Sequence, residues 1–162
     1  MTDTTPMADT VAHASGEDTK QFVTMTVEGQ LFGIPVLSVQ DVLAKQTIAN
    51  VPLAHPVVAG LINLRGRIVT AVDLRRRMGL KDRPADANSM NVVVEHGPEL
   101  YSLIIDSIGD VLTVPSDKFE RNLATLDPLW RSFADGIYRL EDKLLVILDI
   151  GRLLDFAEAE AA

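Results

Sequence analysis

The chain repeats itself. Gly60–Arg76 (GLINLRGRIVTAVDLRR) aligns without a gap on Gly136–Arg152 (GIYRLEDKLLVILDIGR), so that Gly60 meets Gly136, Leu64 meets Leu140, Asp73 meets Asp149 and Arg76 meets Arg152. A second pair precedes it: Phe32–Leu43 (FGIPVLSVQDVL) against Tyr101–Leu112 (YSLIIDSIGDVL). A chain that carries one unit twice is expected to fold as two copies of one supersecondary arrangement packed together. The units run over about residues 22–80 and 91–156, each a strand pair, a loop, and a hairpin ending in Asp-aliphatic. About five strands per unit suffice for a small closed barrel with no long exposed edge. The expected fold is mainly β: two packed five-stranded barrels with a few short helices. Whether the copies exchange a strand stays open at this level.

Local patterns agree with that expectation. Phe22–Val27 alternates with period two, Glu28-Gly29-Gln30 makes a turn, and Leu31–Val36 runs apolar again, which predicts a hairpin. Pro35 inside the second run marks an edge or a strand end. Further short apolar runs fall at 39–43, 57–64, 67–74, 92–94, 100–105, 108–114, 137–140 and 144–150, separated by Gly, Pro, Asp or Asn. No stretch shows the sustained 3.6 period of an ordinary buried helix. Helical turns are expected at Leu74–Met78, around Pro128–Phe133 and at Ile150–Ala159. Residues 1–19, rich in Thr, Asp, Ala and Ser, are expected to form a disordered tail, residues 20–158 one domain, and residues 159–162 a frayed end.

Composition removes several functions. With no cysteine, disulfides, thiolate metal sites and a cysteine nucleophile are excluded. His13, His55 and His96 are scattered, with no second ligand at metal spacing, so neither a metal nor another cofactor is expected. No phosphate-binding glycine loop or nucleophile elbow occurs. Asp73 and Asp149 could serve acid–base chemistry, but their place before Leu74 and Ile150 fits capping of the helical turns better. A net charge of −8 argues against nucleic-acid binding, and no apolar run is long enough to span a membrane. The basic residues Arg65, Arg67, Arg75, Arg76, Arg77, Lys81 and Arg83 nevertheless crowd one stretch, either a solvated face or a patch for an acidic partner. A nucleic-acid-binding barrel using that stretch is a weaker alternative, because aromatic residues for base stacking are few.

The segment Val58–Leu80 (VAGLINLRGRIVTAVDLRRRMGL), with Phe32–Val42, Asp106–Leu112 and Leu144–Ile150, resembles CheW-type chemotaxis coupling proteins over residues 20–156. The resemblance implies two SH3-like five-stranded barrels side by side and a free-standing, non-enzymatic adaptor in the cytoplasm, recruited to membrane receptor arrays. Its implied partners are the regulatory domain of a CheA-type histidine kinase, the cytoplasmic tip of a methyl-accepting chemotaxis receptor, and other copies of the coupling protein in rings. Pilus-type and other receptor-linked kinase pathways use the same family. Carried over by motif position, partner contact falls to Val39, Asp41, Gly60, Arg65, Val92 and Val111. Asp41 stands where the family usually carries glutamate, one methylene shorter in reach towards Arg65.

Several of these residues have a plainer reading too. Gly60 suits either close approach of another backbone or a positive-φ corner needed only for folding. Arg65-Gly66 reads as a tight turn, with Gly66 supplying the positive φ, and the guanidinium is a planar fork suited to carboxylates. Val39, Val42 and Val111 suit a core as well as a helix-binding groove.

Overall fold

The computed structural model describes residues 18–84 and 86–155. The expectations for most of the N-terminal tail and for the last residues therefore lie outside the described residues. The first strand begins at Thr19, slightly earlier than the sequence pattern indicates. The strands are β1 (Thr19–Val27), β2 (Gln30–Pro35), β3 (Val39–Ala44), β4 (Val58–Leu64), β5 (Arg67–Asp73), β6 (Met90–His96), β7 (Glu99–Ile105), β8 (Ser107–Pro115), β9 (Ala134–Arg139) and β10 (Leu144–Leu148). Three α-helical turns, α1 (Leu74–Arg77), α2 (Pro128–Arg131) and α3 (Ile150–Leu153), and two 3-10 turns, Val36–Ser38 and Ser116–Lys118, interrupt them.

Turn chemistry sets the hairpins. Glu28 and Gly29, at φ 46° and 81°, link β1 to β2, and Arg65 and Gly66, at 52° and 88°, link β4 to β5. Two successive positive-φ residues match the right-handed twist of the strands they join. Gln30 already belongs to β2, so this first turn is one residue shorter than the expected three. Each α-helical turn starts at an aspartate. Asp73 accepts from the Arg75 N–H, Asp127 from Leu129 and Asp149 from Arg152. The capping role expected of Asp73 and Asp149 is thus the observed one.

The strands form two five-stranded sheets, in the orders β8-β1-β2-β10-β9 and β3-β6-β7-β5-β4. Shifting every strand number by five converts one order into the other, so the duplication survives as a pseudo-two-fold. It is an exchanged one: the first sheet combines the β1–β2 hairpin of one repeat with β8, β9 and β10 of the other. Two of the joints between repeats are parallel, β10 with β2 and β5 with β7, and two are antiparallel, β1 with β8 and β3 with β6. Both sheets close the same way. After β3 the chain crosses to β4, where Ala49 and Leu61 exchange hydrogen bonds of 2.8 Å. After β8 it crosses to β9, where Glu120 and Ile137 exchange bonds of 2.9 Å. Two packed five-stranded barrels with short helices are the fold class the repeat pattern implies.

Burial occurs on both faces of each sheet. A central core shared by the barrels takes Val23, Met25, Phe32 and Ile34 from the first, and Val72, Val92, Val94 and Leu103 from the second. Inside the first barrel lie Phe22, Tyr138, Leu145 and Ile147, and inside the second Ile62, Val69, Ala71 and Ile104. Two buried faces explain why so many strands read as apolar runs rather than as alternations.

Candidate partner-binding surface

The six residues singled out by motif position divide into three groups. Val111 is 50% exposed on β8, and Val42, its mate in the repeat alignment, is 38% exposed on β3. Both strands are outer strands of their sheets. Val42 stands opposite Val92 on β6, and Val111 opposite Val23 on β1. Val92 and Val23 are buried in the central core, so each exposed valine carries that core out to a rim. Val39 is half-buried and packs on the same core. The valines open at sequence level therefore separate: Val42 and Val111 face outward, Val39 sits between, and Val92 is inside.

Val92 is fully buried and Gly60 is also buried. At Gly60 (φ 150°) an added Cβ would overlap the carbonyl oxygen of Ala49. The backbone that approaches this glycine is the chain's own barrel-closing segment. Its mate Gly136 has the same duty, with the Phe119 ring and the Glu120 carbonyl in the way of any Cβ.

Asp41 and Arg65 come together on the outside. Arg65 Nη1 lies 3.0 Å from Asp41 Oδ2, with the two side chains 74% and 28% exposed. The shorter carboxylate reaches after all, because Asp41 Oδ1 also accepts from the Val42 N–H at 2.9 Å and is held against β3. The turn is fixed from the other side, where Asn63 Oδ1 accepts from the Gly66 N–H at 2.9 Å. In the matched turn of the second repeat Glu141 replaces Arg65, so this guanidinium is specific to one barrel.

The basic stretch is largely consumed inside the molecule. Arg75 donates from Nε and Nη2 to the two oxygens of Asp106 at 3.0 and 2.6 Å. Arg83 Nε donates to Asp106 Oδ1 at 2.9 Å, with its Nη2 2.8 Å from the same oxygen as an ion-pair contact. The Glu28 N–H donates to Asp106 Oδ2 at 2.7 Å. Arg76 pairs with Asp82 at 3.1 Å, while Arg77 donates to the Leu153 and Arg152 carbonyls and lies 4.7 Å from the centre of the Phe133 ring. An anion-binding face for an acidic partner or a nucleic acid is therefore not what these arginines form. Burial pushes the Asp106 carboxyl up, but the donors from Arg75, Glu28 and Arg83 outweigh it and bring it down to about 2. Motif position missed Asp106, although its Asp-Ser-Ile match to Leu37-Ser-Val flags an odd charge at an aliphatic site.

Among the described residues no group of His, Asp and Glu is placed to hold a metal, and no helix is long and apolar enough to cross a membrane. The surface offers two apolar rims and the exposed guanidinium of Arg65.

The family model of the CheW-like domain matches residues 21–158. The chain is 28% identical to the chemotaxis protein CheW of Klebsiella aerogenes, over 92% of this chain and 90% of that protein. It is 29% identical to Protein PilI of Pseudomonas aeruginosa, over 73% and 66%. The crystal structure of the scaffolding protein TtCheW from Thermoanaerobacter tengcongensis superposes with a TM-score of 0.76 and 26% identity, covering 84% of this chain and 92% of that one. A double-barrel duplication and a family match spanning nearly every described residue lead to one statement: the chain belongs to the CheW-like domain family.

Proposed function

We propose that this chain is a non-enzymatic adaptor that couples the cytoplasmic tip of a methyl-accepting chemotaxis receptor to the regulatory domain of a CheA-type histidine kinase. The observation that carries the reading is the matched pair of exposed valines, Val42 and Val111, at two rims of one core. An amphipathic helical partner lying across both rims would extend a core that already exists. Val39 lines the approach, Gly60 and Val92 support the surface from below, and the Asp41-held Arg65 fork offers its remaining N–H groups to a partner carboxylate. Relatives named for chemotaxis, and a solved one named as a scaffold, support the same reading.

The mechanism is bridging in the cytoplasm. Two surfaces on one body raise the local concentration of kinase at the receptor, and contacts with further copies of the chain would add ring formation. Mixing the protein with a receptor-tip fragment and a CheA-type kinase tests this. Kinase autophosphorylation should depend on the chain and be lost in the Val42→Asp, Val111→Asp double variant. An unchanged rate with and without the wild-type chain would refute the coupling role. Service in a pilus-type or other receptor-linked kinase pathway is the second reading. The likeness to PilI supports it less well, because that match covers less of the chain.

A further inference from the structure

The chain passes between the barrels twice, from β2 to β3 and back from β7 to β8. In the repeat alignment Leu37 at the first passage matches Asp106 at the second. The two are held very differently. Asp106 accepts from Arg75, Arg83 and the Glu28 N–H, while its own N–H donates to the Thr26 carbonyl at 3.1 Å. Thr26 and Glu28 belong to the β1–β2 hairpin of the first barrel. Arg75 lies on α1 and Arg83 in the segment after it, both attached to the second barrel. The side chains of Arg75, Arg83 and Asp106 are only 13%, 10% and 19% exposed, so water competes weakly for these bonds. At the first passage the matched side chains are missing: Gly151 stands in the place of Arg75, and Leu37, 91% exposed, in that of Asp106. One passage is bolted and its mate is not.

We propose that Asp106, Arg75 and Arg83 are positioning residues for partner binding: their bolt fixes the angle between the barrels, and with it the relation of the Val111 rim to the Val42 rim. Strand β8, which carries Val111, begins directly after Asp106, so the bolt anchors the start of the strand that forms one rim. A partner that must touch both rims at once binds best when their relation is set beforehand, because the ordering cost is then already met. The consequence for binding rests on the coupling reading above; the bolt itself does not.

Spin-label distances can test the two parts separately. The chain has no cysteine, so Gln21→Cys on β1 and Glu95→Cys on β6, both exposed and on different barrels, accept a label pair without background. Asp106→Asn removes the charge at the centre of the bolt, and Arg83→Lys keeps the charge but loses the fork. Both variants should broaden the inter-label distribution, Asp106→Asn more. Both should weaken binding of a receptor-tip fragment by on the order of tenfold, within the range of measured couplings between sites. Val42→Ala should weaken binding with the distribution unchanged. If Asp106→Asn does not fold, Arg83→Lys carries the comparison. Folded variants with the parent distribution overturn the bolt, and a broadened distribution with full binding overturns the positioning role. A parent protein that binds no receptor tip removes the coupling reading and the positioning role with it, while the distances still decide the bolt.

Discussion

Arg65 shows how much a single residue's backbone can add to its side chain. At φ 52° it occupies the left-handed region, which costs a residue with a Cβ roughly 1–2 kcal/mol. Its ion pair with Asp41 is too exposed to offset more than about 0.5 kcal/mol. Arg65→Gly should therefore leave the protein as stable or up to about 1 kcal/mol more stable, since glycine enters this region freely. Arg65→Ala should lose a few tenths of a kcal/mol, about the size of an exposed pair. Both should weaken partner binding alike. Denaturant titration of the two variants checks the split, and equal stabilities would show that the turn relaxes rather than stores strain. Tyr138 offers a second contrast. Its ring packs near Phe22 and Phe119, at centroid distances of 5.8 and 5.4 Å, while its buried hydroxyl has no hydrogen-bond partner among the described residues. Tyr138→Phe should raise stability by about 1 kcal/mol, the lower end of the cost of an unpaired buried group. A fall in melting temperature would mean that the hydroxyl is satisfied by water. Sequence alone placed Arg65 in its turn but gave no sign that two φ angles there are positive, because arginine carries no left-handed preference of its own.

The strands were the legible part of the molecule. All ten apolar runs became strands, since Gly, Pro and Asp separators mark where a ladder must stop, and both Asp-aliphatic hairpin ends became capped turns. What closes the barrels was not legible. Ala49 and Glu120 lie in segments without strand pattern, and each makes a single bridge whose partner is chosen by distance in space. The matched glycines were the available signal, and their meaning depends on what crosses above them. Replacing either with alanine places a Cβ into backbone or ring atoms, and overpacking of this kind costs about 1–3 kcal/mol. Gly60→Ala should cost more than Gly136→Ala, because Gly60 also has a φ of 150°. Amide exchange gives the local check: protection at Ala49 and Leu61 should fall in Gly60→Ala while the β6–β7 ladder keeps its own. Uniform loss across the sheet would mean that closure at this bridge is not the cause.

Exchange of hairpins between the repeats belongs to the whole molecule, and no local pattern reports it. A β1–β2 hairpin reads the same whether it joins the strands that follow it or those of the other repeat. With both faces of each sheet buried, periodicity cannot say which core a side chain enters. Once the hairpins are exchanged, neither repeat holds a complete barrel, and the two should unfold in one transition. Asp106 then acts on the stability of the entire body, because it ties the exchanged hairpin to α1. Its carboxyl falls from the ordinary 3.8 to about 2 in the folded state, so the folded form favours the charged group. A depressed carboxylate stabilises the fold above the unfolded value and loses that contribution as pH falls through the folded one. Discounted for solvent screening, the contribution is about 1–2 kcal/mol, fully present above about pH 5, mostly lost by about pH 2 and gone near pH 1. Asp106→Asn should be less stable than wild type at pH 7, and the gap should narrow by most of that amount between about pH 5 and about pH 2. Taking the difference between the two proteins cancels every other carboxylate they share. Chemical denaturation across that range measures it. A gap that stays constant down to pH 2 would show that the bolt does not depend on the charge of Asp106, and a biphasic transition would show that the barrels part before they unfold.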